Sequence, residues 1–349
     1  SGKKTLCVVT FGLGVWTAGM LTTKLSWGAA KGNKMTVVTP GMDKFNAVNI
    51  IRELYSYYDQ VIVLGYPPFL ADIVDEARKK KFNLRKANTK FMCTSERFSE
   101  LWRSKMVKSI SKTGSKYDVV GFYACSDTGI IGFETKETID ILEQTYKDGE
   151  LSNALFGTYD SPTLVQYDSS AKYVEEVDGE IIITADQAVP LIRYNIHDRG
   201  GLLTGSKISK VLSKYGFEVN VQSLAHDYLY IFGRADAVKL TANVYIDDVK
   251  YCLEHSSYRD YLSMHFKFGT EYYYGRKRLK LIIYLNDGKI LSKAQACKFE
   301  KEFYNNLLVA NNDFKMIQSG TKIEKFKYIY RNDPKDKYSS SKLKYFINE

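Results

Sequence analysis

From the start of the chain to about residue 130, short apolar runs of strand length alternate with amphipathic stretches of helix length. TLCVVTF leads into a helical stretch, KMTVVTPG into DKFNAVNIIRELYSYY, and DQVIVLGY into PPFLADIVDEARKKK. KFMCTSE then leads into RFSELWRSKMVKSI, and YDVVGFYACSD closes the series. Runs such as VIVLG are apolar at successive positions, so both faces of the strand must be buried. That pattern specifies an α/β chain with a parallel, doubly wound sheet covered by helices. Pro67 and Pro68 fit a helix start, where a missing amide N–H costs nothing. In such sheets ligands gather beyond the carboxyl ends of the strands, which makes the loops GYPP and ACSDTG the places to seek chemistry.

Beyond residue 150 the pattern shifts to short strands and turn residues (FGTYDSPTLVQYD, DGEIIITAD, DYLYIFG). Residues 151–232 therefore read as a β-rich subdomain packed beside the sheet of residues 1–150, the two making a large core over 1–232. After Gly233 come NVYIDDVKYCLEHSS, RLKLIIYLND and SKAQACKFEKEFYNNLLV, a strand and helix, a strand, and a helix. These define a small α+β C-terminal domain, 237–349, separable at the GRAD segment, 233–236.

A chain of 349 residues that is 44% hydrophobic can bury a sizeable core and is globular. No apolar run approaches the roughly 18 residues that cross a bilayer, and SGKKTLCVVT lacks a secretory signal, so no membrane is expected and the location is cytoplasmic. The five cysteines stand singly, without metal-ligand spacing, which predicts free thiols rather than disulfides or a zinc site. A net charge of +10 draws anionic partners such as a nucleotide, coenzyme A or nucleic acid. The lysines, however, are spread among tyrosines, as in KFKYIYRNDPKDKYSSSKLKY, which is the pattern of solvated faces; no nucleic acid is expected.

Three stretches concentrate chemistry: YACSD (123–127), PLIRYNIHD (190–198) and IFGRADAVKLTANVYIDDV (231–249). Taken singly they leave alternatives. Cys125, Ser126 and Asp127 could be a nucleophile with its acid, a metal site or a tight turn. Asp198 could be a turn acid or part of a surface ion pair, and Arg234 and Asp236 could pair with one another. His197 forms no dyad with a nearby Ser or Cys in sequence and reads as a structural hydrogen-bonding group; Cys125 reads as a packing residue.

In this order and at these separations the three stretches resemble the adenylate-forming enzymes, most closely the phenylacetate–coenzyme A ligase-like branch, from about residue 6 to about residue 330. That branch carries Tyr-Gly-x-Ser/Thr-Glu, then a segment ending Tyr-Arg-x-x-Asp, then Gly-Arg-x-Asp before a Gly-rich loop and a strand. TFGLGVWTAGM (10–20) and LGYPPFLADIVDEA (64–77) are similar to the same branch. The resemblance implies ATP-dependent activation of a carboxylic acid as an acyl-adenylate, followed by transfer to a thiol, that of coenzyme A or of a carrier protein or enzyme cysteine. It implies ATP, Mg2+ and coenzyme A as ligands. Tyr123 would lie against adenine, Ser126 would offer its hydroxyl to the α-phosphate, and Asp198 would accept both ribose hydroxyls. Arg234 would reach ribose and phosphate, and Asp236 would be the hinge of the small domain. Asp127 takes the place of a magnesium-binding glutamate one methylene longer, so direct coordination becomes a candidate for a water-mediated one. Trp16, Tyr66, Phe69 and Phe122 would line a pocket for an aryl or medium-sized apolar acid. Lys322, Lys325 and Lys327 are candidates for the catalytic lysine of the small domain, with Lys327 preferred.

Two departures qualify what the resemblance implies. The branch carries a phosphate-wrapping loop with a lysine upstream of TFGLGVW; here only SGKK stands there, too close to the first strand. The loop is then supplied by a more N-terminal segment, or dispensed with, or the protein is a catalytically degenerate nucleotide-binding relative. Thr241 replaces the glycine after the hinge, and the segment from Asp236 to Asn243 is about two residues short, which touches thioester formation more than adenylation.

Overall fold

In the computed structural model, β1 (Thr5–Val9), β2 (Met35–Val38), β3 (Gln60–Gly65), β4 (Thr89–Cys93) and β5 (Val119–Cys125) pair in parallel, in the order β2-β1-β3-β4-β5. The structure describes residues 2–14, 17–159, 161–187, 189–217, 227–234, 237–239, 243–273, 276–311, 314–315, 326–332 and 347. The crossovers are α1 (Thr17–Ala30), α2 (Lys44–Leu54), α3 (Pro67–Lys79) and α4 (Glu100–Ile110). The prolines of GYPP begin α3, and Asp43 and Ser99 cap α2 and α4 by accepting from backbone N–H groups of the first turn. The strand order reverses at β1, which places a switch point between β1 and β3, where the loops that follow them diverge. Those two strand ends approach closely because Gly65 carries no side chain. A Cβ on Gly65 would lie 2.5 Å from Thr10 Oγ1, and that hydroxyl donates to Leu64 O at 2.7 Å.

α1 reverses the usual amphipathic pattern. Its buried side is Gly19, Thr22, Thr23 and Ser26, whereas Met20 and Trp27 are 61% and 58% exposed. The threonine hydroxyls bond back to carbonyls one turn earlier, Thr22 to Ala18 O and Thr23 to Gly19 O, which lets a polar stripe sit against β1.

The β-rich stretch differs from expectation. Instead of packing beside the sheet it continues it, edge to edge, into eleven strands. Only three residues separate β5 from β6 (Gly129–Phe133), far too few for a crossover, so β6 returns antiparallel on the open side of β5. β7 (Thr163–Tyr167), β8 (Tyr173–Val177), β9 (Glu180–Ala185), β10 (Leu191–Thr204) and β11 (Asp227–Arg234) follow, in the order β6-β7-β11-β10-β9-β8. One face of this half packs around Ile131, Val165, Ile181, Leu229 and Ile231. The other is covered by α5 (Lys136–Lys147), α6 (Gly149–Phe156) and α7 (Gly205–Lys214) over Leu151, Leu164 and Tyr228.

The chain divides into two compact units, Ser1–Arg234 and Ala235–Glu349. The second contains the short pair β12 (Ala237–Lys239) and β13 (Asn243–Tyr245), helices α8 (Ile246–Glu254) and α9 (Lys293–Ala310), and a sheet of β14 (Leu262–Tyr273), β15 (Arg276–Leu285) and β16 (Lys327–Arg331). Its core is aromatic, with Phe266, Phe268, Phe299, Phe303 and Phe314 all buried. Trp16, Asp236, Thr241, Lys322 and Lys325 lie outside the described residues. Among the described residues no helix is long and apolar enough to cross a membrane.

Candidate active site at the end of the central strands

The YACSD stretch ends β5 and the turn into β6, and PLIRYNIHD runs into β10. Although 75 residues apart, Tyr123 and Asp198 meet: the tyrosine hydroxyl donates to Asp198 Oδ2 at 2.6 Å. Asp198 is also the register partner of Arg234 across the β10–β11 ladder. Three of the four expected nucleotide residues are thus brought to one place, two by a side-chain bond and the third by backbone register. The fourth, Ser126, is exposed at the adjoining turn.

β10 reaches this position through irregular backbone. Its pairing with β9 slips between Leu191 and Tyr194 and again between Asn195 and Arg199, and Arg193 and His197 have φ of +49° and +59°. Bulges of this kind re-aim side chains, and non-glycine residues in the left-handed region persist only where surrounding bonds hold them. Two such bonds are present: His197 N–H donates to Asn195 Oδ1 at 2.7 Å, and Asn195 Nδ2 donates to Glu180 Oε2 at 2.6 Å. The His197 ring is exposed, 3.8 Å from Glu180, and takes no part in the Tyr123–Asp198 contact.

The turn of residues 126–128 is built by its own side chains. Thr128 N–H donates to Cys125 Sγ at 3.3 Å, and the Thr128 hydroxyl lies 3.0 Å from the same sulfur, so the thiol closes the turn. Asp127 is exposed; Tyr194 Oη donates to its Oδ2 at 3.0 Å, and Gln187 Nε2 donates to its backbone carbonyl. Tyr194 and Gln187 are partners that sequence reasoning missed. Tyr194 stands inside the quoted PLIRYNIHD stretch, and a tyrosine four residues before the expected ribose acid was the available signal. Among the described residues no three His, Cys, Asp or Glu side chains converge as metal ligands. Asp127 alone, open to solvent, fits the mode in which Mg2+ takes one carboxylate and completes its shell with phosphates and water.

Beneath this tip β5 is gripped by a buried ion network that sequence reasoning also missed. Arg103, from α4, donates to Glu100 through Nε at 2.9 Å, to Glu134 through Nη2 at 2.7 Å, and to the Val119 carbonyl through Nη1. Glu134 accepts the Gly121 N–H at 2.5 Å, so its carboxylate and the guanidinium occupy backbone positions that β6 leaves unpaired. Burial pushes the Glu100 carboxyl up to about 7 despite the arginine. Burial alone would pull Arg103 down, but the two glutamates hold it above the ordinary arginine value. The sequence did hold a signal: Arg103 occupies the i position of an i, i+3, i+4, i+7 stripe with Met106, Val107 and Ile110, all buried.

The other expected site residues that the structure describes belong to the core of the first unit and to the second unit. Tyr66, Phe69 and Phe122 are core side chains, 3%, 1% and 6% exposed; Tyr66 stacks on Phe69 at 6.2 Å, and Phe122 packs on Phe133 at 5.9 Å. Lys327 begins β16 in the second unit, opposite Lys280 in register, with Nζ 3.5 Å from Glu271. Glu271 also accepts from Arg278 and lies 3.8 Å from Lys280. Burial would raise its carboxyl, but the Arg278 hydrogen bond and the charges of Arg278 and Lys327 outweigh it and hold it below the usual range. Lys3 and Lys4 lead directly into β1, and Lys4 N–H donates to Asp59 Oδ2 just before β3. Lys3 and Lys4 are thereby placed at the amino ends of the strands, opposite the edge that carries Tyr123.

Solved ligases share this fold. The structure of 2-hydroxyisobutyryl-CoA ligase in the postadenylation state, in complex with R3-HIB-AMP, matches with a TM-score of 0.61 at 13% identity, over 100% of this chain and 66% of that one. The anthranilate CoA ligase AuaEII in complex with anthranoyl-AMP matches with a TM-score of 0.58 at 10% identity, over 99% of this chain and 58% of that one. A benzoate CoA ligase from Burkholderia xenovorans LB400 matches with a TM-score of 0.56 at 10% identity, over 99% of this chain and 60% of that one. The architecture is therefore that of the adenylate-forming acid–CoA ligases, and the chain spans just under two thirds of the length of these relatives or less. No protein-family model matches the chain, and no curated protein matches it in sequence.

Proposed function

We propose that this protein activates a carboxylic acid with ATP and passes the acyl group to a thiol. The observation that carries the proposal is the Tyr123–Asp198 hydrogen bond, with Arg234 in register beside Asp198, at the ends of strands in an adenylate-forming fold. Tyr123 presents a ring for adenine, and Asp198 keeps acceptor capacity for ribose hydroxyls. Arg234 supplies a permanent cation for ribose and phosphate, and Ser126 a hydroxyl for the α-phosphate. Mg2+, when bound, neutralises phosphate charge; Asp127 would hold it, with Tyr194 fixing the carboxylate.

In the first step a substrate carboxylate oxygen attacks the α-phosphorus of ATP, forming the acyl–O–P bond as the bond to pyrophosphate breaks. Catalysis is positioning and charge neutralisation, and Lys327 is assigned to the carboxylate and α-phosphate. Coenzyme A is the proposed acceptor and an aryl or medium-sized apolar acid the proposed substrate, in keeping with the neighbours named for anthranilate and benzoate. The location is proposed as cytoplasmic and Asp236 as the hinge. ATP–pyrophosphate exchange by the full-length protein across a carboxylic-acid panel tests the proposal. Exchange with at least one acid, reduced more than tenfold in Lys327→Ala, is expected; no exchange with any acid overturns it.

A further inference from the structure

A cleft lies at the amino-end edge of the parallel sheet. The last turns of α3 and α4 and the 3-10 turn Leu84–Ala87, which precedes the amino end of β4, enclose a cleft of about 390 Å³. Phe82 and Leu84 give it an apolar lining, and Arg78, Lys81, Arg85 and Lys108 rim it, all four exposed. No carboxylate is among its lining residues.

Two of the cations are held in place by neighbours. Arg78 pairs with Asp75 at 3.1 Å and donates to Ser109 Oγ at 2.9 Å, and Arg85 Nε donates to Ser111 O at 3.1 Å. The side chains of Lys81 and Lys108 have neither a hydrogen bond nor an ion pair among the described residues. Cations at helix C-termini complement the macrodipole, which accounts for Arg78 and Lys108 in part. It does not account for Lys81. Phe82 N–H donates to Ala77 O at 2.8 Å and Lys81 N–H to Arg78 O at 2.9 Å, the paired bonds of a Schellman cap. Lys81 thus fills the left-handed position of that cap, with φ +53°, where glycine carries no penalty and an L residue is disfavoured. A lysine in the left-handed region on the rim of a cleft, its side chain without a partner among the described residues, suits an anion.

We infer that this cleft binds an organic phosphate, its phosphoryl oxygens held by Lys81 and Lys108 with Arg78 and Arg85 flanking, and its carbon skeleton laid on Phe82 and Leu84. The site stands apart from the nucleotide residues and does not rest on the proposed reaction. Calorimetric titration of the full-length protein with hexyl phosphate, and in parallel with inorganic phosphate, tests it at fixed ionic strength. Expected is saturable one-site binding of hexyl phosphate, at least tenfold tighter than inorganic phosphate. That binding falls at least tenfold in Lys81→Glu/Lys108→Glu and is unchanged in Asp198→Ala. Lys81→Gly, which suits the left-handed turn, weakens binding several-fold without lowering the unfolding midpoint. Equal affinity in the charge-reversed protein, equal affinity for the two probes, or loss of binding in Asp198→Ala would each overturn the assignment.

Discussion

The two ends of β5 solve the same problem, polar groups at the centre of a wide sheet, in opposite ways. At Val119 and Gly121 the backbone is bonded to Arg103 and Glu134, whose side chains are each 2% exposed. At Tyr123 and Asp127 the bonds run between exposed or half-buried side chains, Tyr123 to Asp198 and Tyr194 to Asp127. A charge removed from water must be satisfied within the protein, so the inner cluster is closed and belongs to the fold. Bonds at the tip are in reach of water or a ligand, so Asp198 and Asp127 can exchange partners.

Four variants sharpen or break this contrast. Glu134→Leu removes one of the two carboxylates bonded to Arg103 and the acceptor of the Gly121 N–H, and unfolding in urea should show a loss of about 3–5 kcal/mol. AMP affinity of the molecules that remain folded should be preserved; a large drop in affinity at unchanged stability would dissolve the distinction. Glu100→Gln acts on pH dependence. The Glu100 carboxyl is raised to about 7 in the folded state, so its stabilising contribution is complete below the unfolded value and fades as pH rises through 7. Wild type should lose up to about 3 kcal/mol between pH 4.5 and pH 7 relative to the variant, read as a difference of urea midpoints. Asp127→Glu restores the methylene and should raise the exchange rate a few-fold at limiting Mg2+; no dependence on Mg2+ would remove Asp127 from the metal. Tyr123→Phe deletes one half-exposed hydrogen bond and should cost about 1 kcal/mol of stability or less while weakening AMP binding several-fold.

Much of the fold was legible because burial on both faces writes parallel strands as unbroken apolar runs, and Pro67 fixed the start of α3. The antiparallel half was read less well. Its strands were visible, but their joining to β5 depends on the length of one three-residue turn rather than on hydrophobic period. At the candidate site, motif order singled out Tyr123, Asp198 and Arg234, which the fold brings together, yet the tyrosine-to-aspartate bond comes from bulges in β10 that no periodicity announces. Tyr66, Phe69 and Phe122 show the converse. Aromatic residues near a strand end fit a pocket and a core equally well in sequence, and here Tyr66 stacks on Phe69 and Phe122 packs on Phe133. Arg103 was hidden because an arginine in a mixed helix reads as surface until its place in the apolar stripe is weighed.

The central claim is that the tip of β5, with Asp198 beside it, is a nucleotide platform. Calorimetric titration of AMP into the wild-type protein and into Asp198→Ala tests it most directly. Saturable one-site binding that is weakened at least tenfold in the variant, with the unfolding midpoint little changed, is the predicted result. AMP binding of equal strength in both proteins would contradict it.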